Sequence, residues 1–188
     1  MIEPGFSLTN QFLIAMPSLS DPNFHGTVTL ICDHGAQGAI GLIINRPLDL
    51  SLGEVLGHMH LTAKEDGIAQ RAVYMGGPVQ TDRGFVLHTG GGAWESTLYI
   101  GGGLQVTTSK DILAEMARGE GPRQTLIALG YAGWGAGQLE QELVDNAWLC
   151  GPTDLHIIFD TPWQHRWKAA AALMGVDLNQ LSDQVGHA

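Results

Sequence analysis

Two glutamates, Glu140 and Glu142, stand three and five residues after the end of the run Gly130-Tyr131-Ala132-Gly133-Trp134-Gly135-Ala136-Gly137, where a helix is expected to start. A carboxylate in that place stabilises the positive end of the helix dipole. Buried beside an imidazole, it is instead tuned toward neutral pH and moves protons. His88, at the end of the apolar run GFVLH, is the imidazole that a hydrolase-like Glu/His pair would use. Glycines before a helix also expose amide N–H groups that can cradle an anion. This run matches neither the dinucleotide fingerprint nor the triphosphate loop, because Lys and Ser/Thr are missing at its end. Glu140 and Glu142 would also repel a phosphate there. The remaining functional reading is a pocket wall, with Trp134 as its apolar face and Gln138 and a Glu as polar contacts.

Two other strand ends carry chemistry. In Asn45-Arg46-Pro47, Arg46 is a solitary cation that either holds a carboxylate ligand or pairs with Glu140 or Glu142, the internal salt bridge being the favoured outcome. Met75-Gly76-Gly77-Pro78 is a second glycine turn, ordinarily only a turn and alternatively a backbone-lined site. Together Asn45, Arg46, Gly76, Gly77, His88, Trp134, Gln138, Glu140 and Glu142 are expected to line one cleft. His58-x-His60 lacks further ligands at a familiar zinc spacing, so no metal and no cofactor is expected. Cys32 precedes His34 by two residues, yet nothing in the sequence lowers its pKa. Cys32 and Cys150 read as buried structural thiols.

The elements that position these residues belong to a chain of 188 residues with a formal charge of −10, 26 glycines and nine Lys and Arg. That length suits one domain spanning 1–188. Nucleic-acid binding depends on neutralising phosphates. It would need Arg46, Arg71, Arg83, Arg118, Arg123, Arg166 and Lys168 on one face, so direct nucleic-acid contact is not expected. Anionic membranes are disfavoured for the same reason. The start MIEPGFSLTNQF lacks a secretory pattern, and no apolar run approaches the ~20 residues of a membrane span. A cytoplasmic protein with reduced thiols is expected.

Glycine-bounded, β-branched runs predict strands over Gln11–Met16, Thr27–Cys32, Ala39–Asn45, Arg71–Met75, Gly84–His88, Leu104–Thr107, Arg123–Tyr131, Ala147–Cys150 and Leu155–Asp160. The short gap between the second and third predicts antiparallel pairing. Ser51 and Glu54 fit a capping box. Ser109 is expected to cap a helix over Lys110–Arg118, and another helix covers Gly137–Asp145. Thr161-Pro162-Trp163-Gln164 is expected to open a C-terminal helix that packs Trp163, Trp167, Ala170, Ala171 and Met174 on the sheet. Three or four helices against many strands give an α+β domain with a mixed, largely antiparallel sheet.

Over nearly its whole length the sequence resembles the AlgH/YqgE family of uncharacterised bacterial proteins. The resemblance rests on LTNQFLIAMPSLSDPNF, GAIGLIINRPL, the GGPV turn, RGFVLH and above all GYAGWGAGQLEQEL followed by NAWL. It implies a cytosolic protein with a compact, strongly curved sheet. Some members are linked to transcriptional regulation of exopolysaccharide production, and no catalytic residues come with the family. With a charge of −10, such regulation is expected to be indirect, through a small-molecule or protein partner.

Overall fold

The computed structural model describes residues 5–185. The first four and last three residues of the expected domain, and so the very start of the leader reading, lie outside the described residues. Ten strands form one strongly curled sheet, and seven helices pack on it among the described residues. The strands are β1 (Gln11–Ala15), β2 (Val28–Gly35), β3 (Gly38–Ile43), β4 (Pro47–Ser51), β5 (Ala72–Met75), β6 (Val79–Thr89), β7 (Thr97–Gly101), β8 (Leu104–Thr107), β9 (Thr125–Gly135) and β10 (Trp148–Pro152). The helices are α1 (Leu52–His58), α2 (Asp66–Ala69), α3 (Asp111–Ala117), α4 (Gln138–Val144), α5 (Leu155–Phe159), α6 (Trp163–Ala172) and α7 (Leu178–Val185).

The order along the sheet is β10-β1-β2-β3-β9-β6-β8-β7. β4 and β5 join through β5, which runs parallel to the first half of β9. The other pairings are antiparallel, including β2 with β3 as the short connection required. β9 is the hub. It pairs with β6 along one edge, and along the other with β5 at Ile127–Leu129 and then with β3 at Ala132–Gly135.

The glycine run expected as a turn is therefore strand. It is strand as far as Gly135 and turns only at Ala136–Gly137; within the strand the departure is Gly130, at φ +76° between the segments that pair with β5 and β3. Leu126 and Ala128 face one cluster, and Ile127 faces another. After Gly130, Ala132 and Trp134 face the side opposite Leu126 and Ala128. A strand alternates faces strictly, so this change of parity is what one inserted residue produces. Gly76 and Gly77 cross here. Gly76 N–H donates to Leu129 O at 2.8 Å, and Ile43 N–H donates to Gly76 O at 2.8 Å. A Cβ on Gly77 would collide with the backbone of Tyr131 and Ala132, one on Gly76 with Gly130 O, and one on Gly130 with Gly77 O.

The core divides accordingly. One face of the sheet, including Phe12, Leu30, Leu42, Phe85, Leu87 and Ala128, packs against Ile157, Ile158, Ala170 and Ala171 of α5 and α6. On the opposite side, α1, α2 and α3 cover Val73, Val86 and Ile127, while α4 covers Leu13, Ile31 and Ala132. Arg166, buried on α6, donates to the carbonyls of Thr161 and Ile44 and lies over the Tyr74 ring. A nucleic-acid face could not use it.

Three local expectations change. Leu155–Phe159 is helix, not strand, because Asp154 Oδ1 accepts from Ile157 N–H at 3.1 Å and caps it. A five-residue apolar run does not by itself separate the two states. Ser109 does not cap α3; its Oγ donates to Asp111 Oδ1 at 2.5 Å and accepts from Ser96 N–H. Thr161 likewise donates to His156 O instead of capping α6, and Trp163 and Met174 stand exposed. The capping box at Ser51 and Glu54 forms as expected.

Replacing Gly77 by Ala forces backbone apart at the hub and is expected to cost about 1–3 kcal/mol or more. Gly57→Ala, in open space on α1, is expected to stabilise by up to ~1 kcal/mol. Denaturant midpoints of the two variants check both signs.

Candidate functional site

The nine residues expected to share a cleft fall into separate groups. Asn45 and Arg46 staple the end of β3 to the loop before β2. Asn45 Oδ1 accepts from Val28 N–H, and its Nδ2 donates to Gly26 O. Arg46 donates to Asn23 O at 2.5 Å and to His25 O at 2.9 Å, so the expected ion pair with Glu140 or Glu142 is not made. Carbonyls within reach of the guanidinium satisfy it where it emerges. Gly76 and Gly77 serve the strand crossing. His88 is fully buried, with Nε2 2.8 Å from Thr107 Oγ1 and its ring edge-on to Trp94. Burial pushes its pKa down against an opposing backbone contact at Thr89, which favours the neutral ring. It pairs across from Thr125, nine residues from Trp134 on β9, or ~30 Å at the usual strand rise. The hydrolase pairing of His88 with Glu140 or Glu142 is therefore not assembled.

Trp134, Gln138, Glu140 and Glu142 do come together, around α4. Gln138 Oε1 accepts from Gly135 N–H and closes the turn into the helix. Glu142 Oε1 accepts from the indole N–H groups of both Trp134 (3.3 Å) and Trp148 (3.1 Å). Phe24 stacks on Trp134 and meets Trp148 edge-on, completing an aromatic block. Glu140 finds a histidine that was not expected: its Oε1 lies 2.5 Å from His34 Nε2. His34 Nδ1 accepts from Leu8 N–H at 2.9 Å, which fixes the neutral ring with its proton on Nε2, donating to the carboxylate. Both ring nitrogens are engaged, so neither is free to take a proton from a substrate. Simple alternation would set His34 on the same face of β2 as Cys32, but a bulge between Ile31 and Asp33 turns it to the Ala39 side, beside α4. Cys32 faces the core, where burial, aided by the charge of Asp33, pushes its thiol up to about 12. Burial also raises the half-buried Cys150. Among the described residues, no three His, Cys, Asp or Glu gather as a metal set.

A cleft opens beside this block, where the curled sheet brings β7 toward β2 and β3. Its volume is about 370 Å³. Leu42, Phe85, Val106 and Tyr131 line it with apolar and aromatic surface, and Ile40 and Leu98 border it at 42% and 46% exposure. Asp33, Arg83 and the hydroxyls of Ser96, Thr97 and Thr108 supply polarity. Arg83 lies over the Phe85 ring, 5.2 Å from its centroid. A shallower hollow of about 330 Å³ shares Asp33 and Ile40 and ends at Trp134. Trp134 borders this hollow and not the cleft itself, so the expected role as a cleft wall is not met. Five of the twelve residues lining the cleft come from β6, β7 and β8, and of these Thr97, Leu98 and Val106 belong to no motif of the sequence.

Two carboxylates here have measurable structural roles. Glu142→Ala strands two buried indole N–H groups and is expected to cost ~2 kcal/mol, whereas Glu142→Gln keeps an acceptor and most of that stability. Partial burial opposes ionisation of Glu140, but hydrogen bonds from His34 and from its own backbone outweigh it and hold the carboxyl below its usual range. A depressed carboxylate stabilises above its unfolded pKa and loses that contribution as pH falls through the folded value, from about pH 5 downward. Glu140→Gln is expected to flatten this part of the stability–pH curve, as read by chemical denaturation.

A family model described as AlgH-like matches residues 12–179. A UPF0301 protein of Thioalkalivibrio sulfidiphilus is 59% identical over 182 residues, covering 97% of each chain. One of Nitrosococcus oceani is 55% identical over 179 residues, covering 95% of this chain and 96% of its own. The solution structure of the AlgH protein from Pseudomonas aeruginosa superposes over the full length of both chains with a TM-score of 0.80 at 52% identity. A Corynebacterium diphtheriae protein shares the fold alone, at TM-score 0.74 and 20% identity. Motifs, full-length relatives and fold agree that the chain belongs to the AlgH-like family.

Proposed function

We propose that this protein is a cytoplasmic regulator that acts indirectly, by binding a small molecule or a protein segment in the cleft between β7 and the β2–β3 hairpin. The observation that carries the reading is the cleft itself. Its volume of about 370 Å³ lies in the range of small-molecule sites, which are mostly apolar with a few placed polar groups. Its lining has that composition, with Arg83 and Asp33 at opposite polarity over an aromatic floor.

Three further facts support it. The nearby carboxylates Glu140 and Glu142 hold an imidazole and two indoles in place, which suits a structural role more than proton transfer. The charge of −10 disfavours direct contact with nucleic acid. Free Cys32 and Cys150 suit a reducing compartment, and no helix among the described residues is long and apolar enough to cross a membrane.

Ile40→Arg and Leu98→Arg change exposed residues at the rim without touching the core. Native mass spectrometry of protein isolated from its own cytoplasm, with thermal shifts against a metabolite library, is expected to show a bound species or a raised Tm for the natural chain only. A bound species retained by both variants would show that the cleft is not the site.

A further inference from the structure

On the other face of the sheet lies a second, larger cavity. α1 and α3 both pack over β6 and β9, and α2 bridges them at one end. Between them remains a slot of about 570 Å³. Leu50, Val55, Leu113 and Leu129 line it, all only half-buried and packed on the cluster beneath. Half-burial of four aliphatic side chains around one concavity leaves apolar surface in water that an apolar ligand would cover.

The depth of the slot has a local cause. Gly84 and Val86 alternate on the same face of β6, opposite Leu129 and Ile127 of β9. Val86 and Ile127 fill the floor. At Gly84 the side chain is missing, and a Cβ built there would find only Leu129 Cδ2, at 4.0 Å. The backbone conformation at Gly84 does not require glycine, since it is not among the positive-φ residues. The gap in the floor is therefore a matter of space and not of chain geometry.

The mouth has its own polarity. Lys110 and His58 border it, with Arg83 at the boundary toward the first cleft, and Asp82 is the one acid among the lining residues. None of these three basic residues forms an ion pair with a carboxylate among the described residues. On a chain with 19 acidic residues and nine Lys and Arg, an apolar slot bordered by Lys110 and Arg83, neither in an ion pair among the described residues, has the complement of an aliphatic chain with one anionic end.

We propose that the slot between α1 and α3 binds a free aliphatic monocarboxylate, its chain over Gly84 and between Val55 and Leu113 and its carboxylate at Lys110. The site is concave and the whole chain is acidic, which favours a single amphiphile over an anionic bilayer surface. This slot meets the cleft at β7 through Arg83, Phe85 and Thr108, but Leu50, Val55, Gly84, Lys110, Leu113 and Leu129 belong to it alone, so the two proposals are tested at different residues.

The test is a titration of the full chain with decanoate, held below its micelle concentration, followed by methyl NMR, with decanol as the uncharged comparison. Saturable shifts are expected at the methyls of Leu50, Val55, Leu113 and Leu129, with decanoate the tighter ligand. Gly84→Val fills the floor and is expected to weaken decanoate at least about tenfold. Lys110→Gln, at an exposed position, is expected to weaken decanoate a few-fold and leave decanol unchanged; it carries the test should Gly84→Val not fold. Absence of saturable shifts at these methyls, binding that a folded Gly84→Val leaves intact, or equal affinity for decanol and decanoate would each overturn the proposal.

Discussion

Everything in this fold depends on how closely two stretches of backbone approach one another. Gly76 and Gly77 pass over Gly130 and Tyr131 with no room for a Cβ on any of the three glycines. That contact lets one strand, β9, leave its partner β5 and take up β3 within a few residues. It also changes the parity of β9, so that Trp134 points toward α4 and away from the α5–α6 side. A side chain at the crossing would separate β5 from β9 and take the end of β3 with it, because Ile43 is bonded to Gly76. The curl of the sheet, and with it the cleft between β7 and β3, follows from that one junction.

The sequence showed the strands whose apolar runs are bounded by glycines, among them Arg123–Tyr131, and the box at Ser51 and Glu54. It also placed the chain in its family through GYAGWGAGQLEQEL. It did not show that this run continues a strand, since glycines signal turns far more often than close strand crossings. Nor did it show β7, where Thr97–Gly101 is exposed over most of its length and lacks the apolar alternation that marks a half-buried strand. α5 was lost to the ambiguity of LHIIF, although Asp154 before it was a usable capping signal.

The candidate site was less legible than the fold, for a physical reason. Charged and aromatic residues attract notice because they can do chemistry, but here most of them are spent on structure. Arg46 closes a loop, Arg166 pins a helix to the end of β3, Glu142 holds two indoles and Glu140 holds His34. Arg46 bonds exposed carbonyls, whereas Arg166, Glu142 and Glu140 satisfy groups that are wholly or partly buried, where an unmet partner costs about 1–3 kcal/mol. The surfaces open to a ligand are instead made by residues with no individual distinction, such as Leu98, Phe85, Leu113 and Gly84. Only the three-dimensional assembly gives them a joint meaning.

The position of β9 in the chain has a consequence for synthesis. Eight of the ten strands end by Thr107, before β9 begins at Thr125. Without β9 they separate into three pieces: β1 to β3, β4 with β5, and β6 to β8. An emerging nascent chain therefore exposes unpaired edges of β3, β5 and β6 until Gly135 has left the ribosome. Such edges are the features on which incomplete chains aggregate or recruit chaperones. The sheet forms only when nearly three-quarters of the protein already exists, so its assembly is a late and concerted event.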